Sequence, residues 1–170
     1  MENPIRFFTA TCLNWQNLLQ RDRHKEIILE SLRFMVKDGR IHVYGFVIMP
    51  NHIHVLWRKT DEWAEKNTIH LFLKFTAQHI KFNLLANHPE ELILYRSTQK
   101  DRAYHFWERR PYAAAMHNRK VLEQKLDYIH YNPVKANLCA TPEEYLYSSA
   151  RFYNETGDDF GFLTRYEEHI

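Results

Sequence analysis

The stretch "YGFVIMPNHIHVLW", from Tyr44 to Trp57, limits the possible folds more than any other part of the chain. Two apolar, strand-like runs, "IHVYGFVIM" and "HIHVLWR", are separated only by Pro50 and Asn51. A connection that short leaves no room for a crossover, so the runs must pair antiparallel as a hairpin. In a strand, residues i and i+2 project to the same side. His52 and His54 therefore point together, and Ile53 and Val55 point the other way.

The flanking segments extend this unit. "IRFFTATCL" is rich in aromatic and β-branched residues and reads as a strand. "HKEIILESLRFMVKDGR" carries Ile28, Leu32 and Met35 at helical spacing, with Asp22 as an upstream cap and Gly39 as a stop. After the hairpin, "IHLFLKFTAQHIKFNLLAN" predicts a helix burying Ile69, Leu73, Ile80 and Leu84, with Lys74, Gln78 and Lys81 on another face. "HFWERRPYAAAMH" contains a fourth strand, and "NRKVLEQKLDYIHYNPVKANL" a helix opened by Asn118, with Leu122, Leu126 and Ile129 as its core stripe. The order β-α-β-β-α-β followed by a helix is that of the split βαβ, ferredoxin-like unit. The expected class is α+β: an antiparallel sheet with helices on one face and a C-terminal helix.

A chain of 170 residues suits one well-buried core. We expect residues 1–154 to form the domain and residues 155–170 an acidic tail, in which Glu155, Asp158, Asp159, Glu167 and Glu168 face only Arg165. No apolar run approaches the ~20 residues of a membrane span, and no secretion signal is visible, so the cytoplasm is expected. Cys12 and Cys139 are the only thiols and suggest neither a disulfide framework nor a thiolate metal site. The net charge of +2 carries no argument, but its distribution does. Between Tyr95 and Lys120 seven basic residues stand against Asp101 and Glu108, although a solvated basic surface would look the same.

A bare His-x-His more often decorates a hairpin than binds an ion, so a third ligand is needed. "LDYIHYNPVKANL" offers Tyr128 and Asn132, four residues apart on one helical face, with Pro133 next. Proline removes a helical N–H and disfavours helical geometry before it, so the helix should kink or end there. Two imidazoles and an amide oxygen form a nitrogen–oxygen set for Mg²⁺ or Mn²⁺ with positions left open. Such an ion would polarise a phosphodiester, and a tyrosine can attack it to give a covalent phosphoester. Against this stand blander readings: Tyr128 as a packed aromatic and Pro133 as a plain stop signal.

These residues resemble the HUH single-strand DNA transposases with one catalytic tyrosine, in the REP-associated tyrosine transposase branch. The likeness rests on "MPNHIHVLW", "HFWERR" and "LDYIHYNPVKANL", with "YLYSS" as a weaker echo, and spans about Phe7 to Tyr153. It implies a ferredoxin-like fold with metal held by His52, His54 and Asn132. It also implies that Tyr128 is the nucleophile, forming a 5′-phosphotyrosine and releasing a free 3′-OH. Many relatives carry Gln where this branch has Asn, so the helix should lie closer to the sheet here. Tyr131 is three residues from Tyr128 rather than four and is expected off the face, and His130 is expected at the surface or in packing.

The implied substrate is single-stranded or hairpin DNA. Lys74, Lys81, Arg109 and Arg110 are candidate phosphate contacts and Trp107 a stacking residue, with Phe106 and Trp107 equally suited to a core. Two alternatives remain open: a nucleic-acid-binding module without chemistry, and a metallohydrolase using activated water. A homodimer and a monomer are both compatible with the sequence.

Overall fold

The computed structural model describes residues 2–155 and 157–170. Four strands form one sheet: β1 (Arg6–Thr11), β2 (Ile41–Ile48), β3 (His52–Lys59) and β4 (Tyr112–Ala115). Their order is β2-β3-β1-β4, and every neighbouring pair is antiparallel. The helices are α1 (Asp22–Lys37), α2 (Thr68–Asn87), α3 (Arg119–Lys135) and the short α4 (Ala150–Tyr153). The class is α+β, with the hairpin β2–β3 and the split βαβ order that the sequence predicts.

The alternation of β3 divides the molecule into two cores. Ile53, Val55 and Trp57 join Ile28 and Leu32 of α1 and Phe72, Ile80 and Leu84 of α2. Leu56, with Phe7, Tyr44 and Val47, joins Leu122, Leu126 and Ile129 of α3. Thus α1 and α2 cover one face and α3 covers the opposite face, the one bearing both histidines. The buried stripe of α2 runs through Phe72, Thr76, Ile80 and Leu84, while Ile69 and Leu73 are only half-buried. Thr76 is tolerated inside because its hydroxyl accepts from the Trp107 indole N–H at 3.1 Å.

Helix ends follow their local chemistry. Asn67 and Asn118 cap α2 and α3 through side-chain oxygens accepting from His70 N–H and Val121 N–H at 3.1 and 3.0 Å. Asp22 is not a cap: it is the first residue of α1, where its charge favours the positive end of the helix dipole. Gly39, at φ +70°, closes α1, with its N–H on the Val36 carbonyl and that of Arg40 on Met35. Asn137, at φ +59°, closes α3 the same way, with its N–H on Val134 and that of Leu138 on Pro133. Pro133 lies inside α3, which runs on to Lys135. The stop is the left-handed Asn137, not the proline.

The fourth strand is confined to "YAAA", and from the preceding run only Trp107 pairs, with Cys12. The C-terminal segment is not an appendage. Leu163 pairs with Val43, Phe162 is buried on the α1/α2 side, Tyr166 is buried on the α3 side, and Tyr166 Oη donates to Glu123 at 2.6 Å. Aromatic anchors interleaved with the acidic residues hold it there, and residue 154 marks no structural boundary. Both cysteines are free thiols, and among the described residues no helix is long and apolar enough to cross a membrane.

Two stability predictions follow from these contacts. Phe162→Ala lowers unfolding stability by about 3–5 kcal/mol in urea titration, as for a core aromatic, whereas an appendage would leave it unchanged. His130 is buried, hydrogen-bonded to Ser149 Oγ at 2.8 Å, and pushed down to about 4 by burial. The unfolded chain takes up this proton near pH ~6.5 while the folded chain resists it, so the stability is present above that pH and lost as pH falls toward 4. His130→Gln should therefore flatten the decline of the urea midpoint across that window, by up to about 1.4 kcal/mol per pH unit.

Candidate active site

The register of the sheet builds the first half of the site. β1 pairs with β3 so that Thr9 lies opposite His54, and Thr9 Oγ1 stands 2.7 Å from His54 Nδ1. With that ring nitrogen engaged, the other, Nε2, is buried and has no hydrogen-bond partner among the described residues. An unpaired buried polar atom costs about 1–3 kcal/mol, so it needs a reason. Burial, with the charges of His52 and Lys125 adding to it, pushes His54 down to about 3. The ring is neutral, and in the tautomer whose Nδ1–H donates to Thr9 the Nε2 lone pair is free.

The second half comes from α3. Asn132 Oδ1 lies 3.0 Å from His52 Nε2, and His52 Nδ1 is 2.8 Å from Asn51 Oδ1. Burial lowers the His52 pKa, partly offset by the bond to Asn132. A neutral imidazole has one N–H for two flanking oxygens. If Asn51 receives it, two lone pairs face each other on the Asn132 side, an arrangement that a shared cation relieves. Two ligands at right angles, each about 2.1 Å from a small divalent ion, also stand about 3.0 Å apart. Turning the Asn132 amide over satisfies that pair without an ion, but it leaves His54 Nε2 unpaired. The donor set, two neutral imidazoles and an amide oxygen, thus fits a hard or borderline divalent ion.

Tyr128 is 44% exposed, and its ring centroid lies 5.3 Å from that of His54. Phe7 backs it at 6.4 Å, and the Lys125 ammonium sits 5.6 Å from the Tyr128 ring and 4.9 Å from that of Phe7. The side chain is thus fixed on its inner edge and open on its outer one. Tyr128, His52, His54 and Asn132 come together within a single chain. Tyr131 is 57% exposed and has no ring contact with the histidine pair, while His130 belongs to the α3-side packing.

The basic candidates gather in a separate groove of about 570 Å³ between α2 and the segment 102–111. Lys74, Lys81, Arg102, Arg109 and Arg110 line it, and Lys81 lies 5.7 Å from the Tyr104 ring. Trp107 also borders it but is 7% exposed with its indole N–H committed to Thr76, so its work is packing rather than an open stacking surface. Three site neighbours escaped the sequence reading: Thr9, Lys125 and Trp15, whose ring centroid is 6.1 Å from that of His52. Thr9 was findable from the strand register and Lys125 from its place one turn before Tyr128. Trp15 carries no signal in its sequence neighbourhood.

No family model matches the chain. A protein of Haemophilus influenzae, named provisionally as a REP-associated tyrosine transposase, is 28% identical over 159 residues, covering 88% of this chain and 85% of that protein. A solved structure of a REP-associated tyrosine transposase bound to a REP hairpin matches with a TM-score of 0.66 at 17% identity, over 97% of this chain and 93% of the other. In sequence over most of its length and in fold over nearly all of it, the chain is thus similar to REP-associated tyrosine transposases.

Proposed function

We propose that this chain is a metal-dependent enzyme that cleaves and rejoins single-stranded DNA at hairpin-forming sequences through a 5′-phosphotyrosine. The observation that carries the proposal is the buried, partnerless Nε2 of His54 beside the His52–Asn132 pair, with the Tyr128 ring against it and open to solvent. His52, His54 and Asn132 would hold the ion. When bound, it supplies Lewis-acid polarisation of a phosphate oxygen. Thr9 orients His54, and Asn51 does the same for His52. Tyr128 Oη gives up its proton and forms a bond to phosphorus as the bond to the 3′ oxygen breaks, and the departing oxygen takes one proton to leave as a 3′-OH, so that no net proton is gained or lost. The reverse attack by a 3′-OH rejoins strands. Lys125 brings a positive charge to where the phosphodiester would lie.

The DNA-bound relative supports a hairpin as the substrate, and the cation-lined groove supplies phosphate contacts apart from the chemistry. That groove also supports a second reading, a binding module without catalysis, since it needs neither histidine. Incubation of labelled hairpin DNA with protein and Mn²⁺ separates the two. We expect a covalent protein–DNA adduct with the wild type and none with Tyr128→Phe; an adduct that survives that substitution excludes Tyr128 as the nucleophile.

Metal binding is measurable apart from activity. Isothermal titration with Mn²⁺ should give one site, abolished in His54→Ala and weakened about 10- to 100-fold in Thr9→Val, which keeps the strand shape but removes the bond to Nδ1. Equal affinity in Thr9→Val and wild type would dismiss the orienting role of Thr9.

A further inference from the structure

Trp15 is 63% exposed, yet it is held in an unusual conformation. Asn14 and Trp15 have consecutive φ values of +52° and +56°. Asn tolerates the left-handed region, but a bulky aromatic there is an outlier. Such strain persists only where surrounding contacts over-determine it, and it clusters at sites of function. Here the contacts are explicit. Cys12 N–H bonds to the Asn51 carbonyl and Leu13 N–H to the Phe106 carbonyl at 2.9 and 2.8 Å, Trp15 N–H bonds to the Cys12 carbonyl at 2.9 Å, and Asn14 N–H donates to Glu108 Oε1 at 2.7 Å. Neighbours of both histidine strand and groove thus pin this turn, for Asn51 precedes His52 and Glu108 lines the cation-rich groove.

None of these contacts needs an indole. The ring is left outside both cores, its centroid 6.1 Å from that of His52 and the two planes 70° apart. Most of its surface faces solvent at the edge of the proposed metal site.

We infer that Trp15 is a nucleobase-stacking platform, taking the base of a nucleotide that adjoins the phosphodiester held at His52, His54 and Asn132. This rests on the reading of the chain as a single-strand DNA enzyme. The ligand is an unpaired base, because only a base freed from its duplex offers a face to an indole, and stacking on an aromatic tolerates any base. The turn sits between the groove wall at Glu108 and the ligand His52, so a strand running from the groove to the metal site passes Trp15. Strain in the backbone is the counterpart of the exposed ring: the conformation that holds the indole beside His52 is one that glycine would adopt more easily.

This gives a signature that a packing role would not produce. Trp15→Gly relaxes the backbone and removes an exposed ring, so the variant should melt at a higher temperature than wild type while binding single-stranded DNA about tenfold or more weakly, measured by anisotropy of a labelled oligonucleotide without added metal. Trp15→Phe should retain most of the affinity. Oligonucleotides carrying one abasic position, moved stepwise along the strand, should locate the stacked base: at that position the wild type loses affinity and Trp15→Gly does not. DNA that binds wild type and Trp15→Gly equally, or an abasic penalty identical in both at every position, overturns the platform while leaving the enzymatic reading intact. No binding of hairpin or single-stranded DNA by wild type overturns both.

Discussion

The alternation of side chains along β3 is the constraint on which the rest depends. Five consecutive residues of that strand, Ile53 to Trp57, are buried, so it is covered on both faces and its register cannot slip without turning both cores inside out. Ile53, Val55 and Trp57 commit one face to α1 and α2. The other face then receives His52, His54 and Leu56, and α3 must pack there. The two histidines share a side because their neighbours are needed on the other.

That arrangement explains why the placing together of the candidate site's residues could be read from the sequence. The turn at Pro50 and Asn51 sets the hairpin, period two sets the histidine pair, and period 3.6 puts Tyr128 and Asn132 on one face of a helix. What remained hidden depended on pairing distant parts of the chain. Thr9 reaches His54 only through the β1–β3 register, a contact across 45 residues. The fate of residues 160–169 was hidden because acidic residues at the surface mask Phe162 and Tyr166, whose partners lie on β2 and α3. Pro133 misled for a local reason: a proline near a helix end is a weak stop when an asparagine four residues later can adopt the left-handed conformation.

Two of the unfavourable features of the fold lie close to His52. His54 is buried with one nitrogen unpaired, and Trp15 is both strained and exposed. Both stand within reach of His52, one ring centroid at 4.8 Å and the other at 6.1 Å. Elsewhere His24 bonds to Leu18 and Asn83, His130 to Ser149 and Trp107 to Thr76, while Ser31 Oγ, Arg58 Nε and His105 Nε2 share the lack of a partner among the described residues. Local conflicts of this kind are expected at functional sites, and these two adjoin the candidate metal-binding pair.

The position of α3 ties the sheet to this chemistry. Asparagine is one methylene shorter than glutamine, so its oxygen reaches His52 only if the helix approaches the sheet closely. β2 provides for that approach. A bulge between Val43 and Gly45 sets Gly45 opposite Leu56, beneath α3, and a Cβ added at Gly45 would lie 2.5 Å from Leu126 Cδ1 and 3.3 Å from Ser149 Oγ. The missing side chain lets Leu126 settle against the strand. Six residues further along the same helix, Asn132 Oδ1 comes to 3.0 Å from His52 Nε2. A short ligand and a bare backbone are thus two parts of one solution, and Gly45 helps to set the distance on which the candidate metal site depends.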